Sequence, residues 1–272
     1  GSPGNPVHMV GQHLWRYHPE KHLVEVFAEG GGNAFGVEFD HLGRVYSGHN
    51  GGNTRGFPYV QGGSYRKGFE KHGQLANPFS YGFFEAMKHN AAQRFSHTFA
   101  IYEGSSLPEP YQGKMFAVAP LQNQLMLADV MPDTSSVQTR DLGPVVSTKD
   151  TWFRPVDITH GPDGALYVAD WYDGNLGHDR AHEGVLDQEM GRVYRLAGKD
   201  YRPGQAPNLG QKSTADLLGL LGRPERWTRQ TVLRLLGDRR DRNAIPQLEK
   251  RLHESRGQKA LDGLWALNLS GG

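Results

Sequence analysis

Residues 33–50 and 154–171 are two copies of one pattern, and that repeat constrains the fold more than any other feature of the chain. Asn33-Ala-Phe-Gly-Val-Glu-Phe-Asp-His-Leu-Gly-Arg-Val-Tyr-Ser-Gly-His-Asn50 aligns with Arg154-Pro-Val-Asp-Ile-Thr-His-Gly-Pro-Asp-Gly-Ala-Leu-Tyr-Val-Ala-Asp-Trp171 without a gap. The register sets Gly43 against Gly164, Tyr46 against Tyr167, Val37 against Ile158, Asn33 against Arg154 and His49 against Asp170. In the later copy Pro162-Asp-Gly164 is a tight turn whose glycine supplies the positive φ, with strand-like runs Val156-Asp-Ile158 and Ala165-Leu-Tyr-Val-Ala169 on either side. A third, degenerate copy runs from Tyr111-Gln-Gly-Lys-Met-Phe-Ala-Val118 to Gln124-Leu-Met-Leu-Ala128. Leu14-Trp-Arg-Tyr17, Val24-Glu-Val-Phe27 and Arg192-Val-Tyr-Arg-Leu196 alternate apolar and polar residues as half-buried strands do. Four-stranded blades of roughly 40 to 50 residues account for the spacing, so the expectation is a mainly β fold, a partial β-propeller.

Composition narrows the function classes. The chain has 272 residues with 36 glycines and 16 prolines, which favours many turns and short strands. A net charge of +1 gives no global field for nucleic acid or an anionic membrane. The absence of cysteine excludes disulfides, thiolate zinc sites, a catalytic thiol and covalently attached haem within this sequence. No apolar run approaches the roughly 18 residues of a membrane span, and no signal peptide is visible. Because the sequence begins Gly1-Ser-Pro-Gly and ends Leu269-Ser-Gly-Gly272, it reads as part of a longer protein.

Residues 11–200 are glycine-rich and strand-like, 201–212 read as a linker, and 213–272 carry helical periodicity. Ser213-Thr-Ala-Asp216 has capping-box form ahead of Leu217, Leu218, Leu220 and Leu221. A second helix carries Trp227, Val232, Leu233, Leu235 and Leu236. Asp241 or Asn243 caps a third with Ile245, Leu248 and Leu252, and Leu261, Leu264, Trp265 and Leu267 mark a fourth. Short helices with polar turns form an α-hairpin array resembling HEAT repeats. The many arginines of this tail suit an acidic partner or nucleic acid, or form a solvated face balanced by Asp238, Asp241, Glu249 and Glu254; no aromatic stacking residues interleave them, which favours the solvated face.

Candidate site residues lie at the entrances and exits of the repeated hairpins. Asn33 with His49 could bind a polar ligand or serve turn geometry. Arg154, separated from Asp157 by Pro155 and Val156, suits bidentate recognition of a carboxylate or phosphate, or pairs with Asp157 or Asp170 inside the sheet. Asp170-Trp-Tyr-Asp-Gly-Asn175 offers two carboxylates, of Asp170 and Asp173, and an amide around a glycine turn that could hold calcium through oxygen ligands, or an Asx-turn. His178 is a candidate metal ligand in a glycine-containing insertion, with His160, His182, Asp179 and Glu183 nearby in sequence; a surface loop is the alternative. His97 either faces a channel or starts a strand. No Walker motif, nucleophile elbow or dinucleotide fingerprint is present.

Asn33–Asp40, Val60-Gln-Gly-Gly-Ser-Tyr-Arg66, Tyr102-Glu-Gly-Ser-Ser-Leu-Pro-Glu-Pro-Tyr-Gln-Gly113 and Arg154–Asp173 resemble the PVC-type membrane-bound dehydrogenase-like proteins, bacterial relatives of glucose and sorbosone dehydrogenases. The resemblance covers about residues 11 to 200. It implies a six-bladed propeller, pyrroloquinoline quinone held over its channel by Arg and Asn side chains with calcium, and a histidine base. It also implies HEAT-like repeats and then a c-type cytochrome domain, whose haem would lie outside this chain. Asn33 matches the Asn of an Arg-Asn-Pro motif, with Gly32 and Ala34 in place of its Arg and Pro. Arg154 matches the later Arg-Pro motif, and His49 lies near the calcium-loop position. On this basis the chain is expected to be a fragment of an exported, periplasmic or envelope-associated protein oxidising a sugar or polyol and passing electrons to the cytochrome domain, inactive as a segment alone. The alternative is a non-catalytic propeller and HEAT-like module that binds glycan or protein.

Overall fold

The computed structural model of the chain describes residues 11–51, 54–68, 80, 82–90, 98–174 and 189–272. In chain order its strands are β1 His13–His18, β2 Leu23–Glu29, β3 Ala34–Phe39, β4 Val45–His49, β5 Gly56–Tyr59, β6 Gly63–Tyr65, β7 Gly82–Phe84, β8 Lys88–His89, β9 Phe99–Ile101, β10 Met115–Ala119, β11 Gln124–Asp133, β12 Ser136–Ser147, β13 Pro155–His160, β14 Leu166–Asp170 and β15 Arg192–Leu196. The α-helices follow: α1 Thr214–Leu220, α2 Arg226–Arg239, α3 Ile245–Glu254 and α4 Gln258–Leu269. The described residues are therefore mainly β, with the α-helices in the C-terminal part.

The repeat in the sequence is a repeat of hydrogen bonds. In the first copy the Asn33 N–H donates to His49 Nδ1 at 3.2 Å, and in the second the Arg154 N–H donates to Asp170 Oδ1 at 2.7 Å. Asn50 N–H closes onto Asn33 O, as Trp171 N–H closes onto Arg154 O, at 2.8 and 2.9 Å. The turns match too: Gly43 donates to Asp40 O and Gly164 to Gly161 O, with φ of 77° and 74° at the two glycines. Left-handed φ is what glycine adopts at no steric cost, so both turns need it there.

Four sheets result. Strands β9 to β12 run up and down as an antiparallel meander, with β8 joining β12 in parallel. The degenerate third copy corresponds to β10 and β11 of this sheet. Strands β3, β4 and β5 form an antiparallel sheet, and β13, β14 and β15 form a further three-stranded sheet in that order. The remaining sheet pairs β1 with β2 antiparallel, then adds β6 and β7 in parallel, which departs from a uniform antiparallel blade. Its cause lies in the Gly30-Gly-Gly32 loop. All three glycines have positive φ, and the N–H groups of Gly31 and Gly32 both donate to Arg66 O, which draws the start of the next segment alongside β2.

The described residues fall into two compact units, one within 1–101, 113–158 and 168–194, the other within 102–112, 159–167 and 195–272. In the first, Tyr46, Met87, Phe99, Ile101, Met115, Ala117, Ala128 and Val137 pack as one core. Strand β10 is apolar at every position and buried throughout, lying between β11 and β9 in the interior of its sheet. Tyr59, Tyr65, Phe57, Val45 and Ala28 form a second core.

In the other unit the capping box is present: Ser213 Oγ accepts from the Asp216 N–H and Asp216 Oδ2 from the Ser213 N–H. Leu217, Leu218, Val232, Leu236, Leu248 and Ala266 bury the shared helical face. Several tail arginines bond inward rather than forming a solvated face. Arg229 donates to the carbonyls of Arg223 and Pro224 and pairs with Glu103, while Arg239 donates to those of Gly210 and Lys212. The Tyr102–Gly113 motif is the matching clamp. Tyr102 Oη, fully buried, accepts from the N–H groups of Ser106 and Leu107 and donates to Gly164 O at 3.0 Å, and Glu103 O accepts from the Arg226 N–H at 2.8 Å.

Candidate functional site

The strand-entry residues form two separate clusters. Asn33 and His49 belong to the first. The His49 ring is cradled so closely that a Cβ at position 32 would lie 2.4 Å from its Cε1 and one at position 51 would lie 2.0 Å from its Nε2. Phe57 meets it edge-on at 5.3 Å between ring centroids. Burial lowers the imidazole's affinity for a proton, with the Asn33 contact acting the other way. Nδ1 of the ring accepts the Asn33 N–H. Glycine at position 32, where the resembling motif carries arginine, is explained locally: a side chain there would collide with His49.

Arg154, Asp170 and Asp173 form the second cluster. Arg154 is 8% exposed, Asp170 4% and Asp173 2%. The guanidinium points into the protein: Nε donates to Asp173 O at 2.9 Å, Nη1 to Pro120 O at 3.2 Å and Nη2 to Gly174 O at 3.5 Å. Burial pulls its pKa below the ordinary arginine value, and the charges of Asp173, Asp170 and Asp150 act in the opposite direction. Asp170 Oδ1 accepts from the N–H groups of Arg154 and Tyr172, forming an Asx-turn, while its Oδ2 is buried without a hydrogen-bond partner among the described residues. Asp173 Oδ2 accepts from Trp171 Nε1 at 3.4 Å.

The other expected residues lie elsewhere. Asp157 is exposed, and its Oδ1 accepts from the Ile158 N–H. His160 accepts the Glu103 N–H at Nε2 and stacks on Tyr102. His97, His178, Asp179, His182 and Glu183 lie outside the described residues. Among the described residues no group of three or more His, Cys, Asp or Glu side chains is placed to hold a metal ion.

Two features were not foreseen. Arg55, Asp141 and His89 form a buried network: Arg55 Nε donates to Asp141 Oδ1 at 3.0 Å and its Nη2 pairs with Oδ2, while His89 Nδ1 meets Thr139 Oγ1 at 3.0 Å. Partners up to 86 positions apart leave no mark in local spacing. The second is an aromatic group beside the Arg154 cluster. Tyr172, held at φ 50°, packs against Trp152 at 5.6 Å, with the Arg192 guanidinium 3.3 Å from its ring centroid. Positive φ at a bulky residue is strained and persists where the surroundings fix it. Trp171 is 54% exposed and Trp152 38%.

A family described as a domain of unknown function, DUF7133, matches residues 3–200, and the chain belongs to it. No curated protein matches. Among solved structures, an oxidoreductase described as a glucose dehydrogenase from Thermus thermophilus is 20% identical with a TM-score of 0.40, over 63% of this chain and 46% of its own. Two further structures titled as glucose dehydrogenase are 18% and 16% identical, with TM-scores of 0.42 and 0.39; each aligns with 64% of this chain, over 46% and 47% of its own length respectively. The matched part thus spans less than half the length of each of these proteins.

Proposed function

We propose that this chain is a stretch of a β-propeller, of the six-bladed type that the sequence resemblance implies, which binds a sugar, polyol or glycan without oxidising it. Strand arrangement supports the propeller. Strands β9 to β12 run up and down as blade strands do, and the leading strands of three hairpin sheets adjoin. Gly36 of β3 lies so close to Thr98 that a Cβ there would be 2.6 Å from its Cγ2, and Thr98 Oγ1 donates to Val156 O on β13 at 3.4 Å.

One observation carries the functional part: the Arg154 guanidinium is turned inward onto three carbonyls while the neighbouring Trp152 and Trp171 remain exposed. Pyrroloquinoline quinone presents carboxylates, which need a cation facing the ligand. Arg154 so placed does not fit that group, and Gly32 supplies no cation either. Calcium fits poorly at Asp170 and Asp173, because Arg154 already offsets their charge. Exposed indole faces with Asp150 and Arg192 close by suit the apolar face and hydroxyl edge of a sugar ring. In this reading export and the cytochrome domain are properties of the parent protein.

Tryptophan fluorescence of the chain during titration with glucose, sorbitol and oligosaccharides is the test. A saturable change is expected, abolished in Trp171→Ala, with no dye reduction after pyrroloquinoline quinone and calcium are added. Quinone-dependent turnover that disappears in Arg154→Ala would overturn the reading.

A further inference from the structure

The end of α1 and the facing parts of α3 and α4 border an open cleft of about 600 Å³ with no role in the reading above. Cations dominate its walls: Arg223 after α1, Lys250 and Arg251 on α3, and Lys259 in the first turn of α4, against the single lining carboxylate of Glu254. These cations are not equivalent. Arg251 belongs to the fold, because its Nη1 and Nη2 donate to the Leu218 and Leu221 carbonyls at the end of α1. Lys250 has a loose 3.9 Å contact with Glu254, both side chains being well exposed, which contributes little. Arg223 and Lys259 have no ion-pair partner among the described residues. Gly222, at φ 82°, keeps Lys259 against the wall, since a Cβ there would lie 3.0 Å from the lysine Cγ.

Like charges gathered around one opening repel each other, and an anion in the cleft would offset that repulsion. An arginine fork beside two flexible ammonium groups suits a compact group with several acceptor oxygens and a double charge. The volume is that of a small-molecule site, which typically spans about 300 to 1,000 Å³. We propose that this cleft binds a phosphomonoester, its phosphate dianion held by Arg223, Lys250 and Lys259, with the Ser255 hydroxyl available as a further donor. Charge and volume together carry the inference, independently of the sugar-binding reading.

Amide chemical shifts of Gly222, Ser255 and Lys259 in the full 272-residue chain, followed while phenyl phosphate is added, provide the test. Sodium chloride at matched ionic strength is the reference. Saturable shifts are expected, with affinity about tenfold weaker in Arg223→Gln and in Lys259→Gln. Both side chains are exposed, so these variants keep the fold. Arg234→Gln on α2, outside the cleft, should bind as the parent does. Inorganic phosphate moving the same signals would support recognition of the phosphate group itself. Equal shifts with chloride, unchanged affinity in both cleft variants, or a preference for an oligoglutamate peptide over phenyl phosphate would overturn the proposal.

Discussion

Arg154 stands at the entry of the later repeated hairpin and His49 at the exit of the earlier one, and both are held by the protein's own polar groups. Their register was legible in the sequence, since the alignment of Asn33 with Arg154 and of His49 with Asp170 reappears as paired hydrogen bonds. The inward turn of the Arg154 side chain was not. It depends on carbonyls of Pro120, Asp173 and Gly174, which carry no side-chain signature in a sequence. Removing this cation leaves three carbonyls without their donor and takes away the positive charge beside Asp170 and Asp173, so Arg154→Met should lower unfolding free energy by about 3 to 5 kcal/mol in urea titrations. A loss well below that would mean that Asp170 and Asp173 find other partners.

Asp141 gives a pH prediction at the same scale. Burial acts to raise its pKa, but the neighbouring His89 and the hydrogen bonds and charge of Arg55 hold it below the ordinary carboxylate value. Its contribution is therefore complete above its unfolded pKa of about 3.9 and is lost as pH falls through the lower folded value. Acid unfolding below about pH 4 should flatten in Asp141→Asn, at the expense of stability near neutrality. An unchanged acid limb would assign the transition to other carboxylates.

Among elements, the helices were the most legible, because periodic leucines and Ser213-Thr-Ala-Asp216 are local signals. Ser213→Ala should cost about 1 kcal/mol, read from the melting of helical ellipticity. What holds the helical elements was hidden. Glu103 pairs with Arg229 across 126 positions, and Arg229, Arg239 and Arg251 look like charged surface until their carbonyl partners are seen. Glu103→Ala leaves Arg229 without that carboxylate, and should depress the melting temperature well beyond Ser213→Ala. The parallel pairing of β6 with β2 and β7 escaped for a similar reason. Three residues each are too few for periodicity, and β6 is placed by the backbone donors of Gly31 and Gly32 and β7 by pairing with β6.

At the scale of the whole molecule, the mainly β architecture was legible because the repeat imposes one hairpin more than once. The resemblance to quinone-dependent dehydrogenases concerns the same residues, and the proposed reading rests on their local bonding to the protein's own groups. Solvent exchange of the Arg154 Nε–H, followed by nitrogen-edited NMR in the 272-residue chain while pyrroloquinoline quinone and calcium are added, tests that claim most directly. Slow exchange and an unmoved resonance are expected, because Nε donates to Asp173 O at 2.9 Å in a side chain shielded from water. Rapid exchange, with a saturable shift on adding the quinone, would contradict it and place Arg154 in a ligand site.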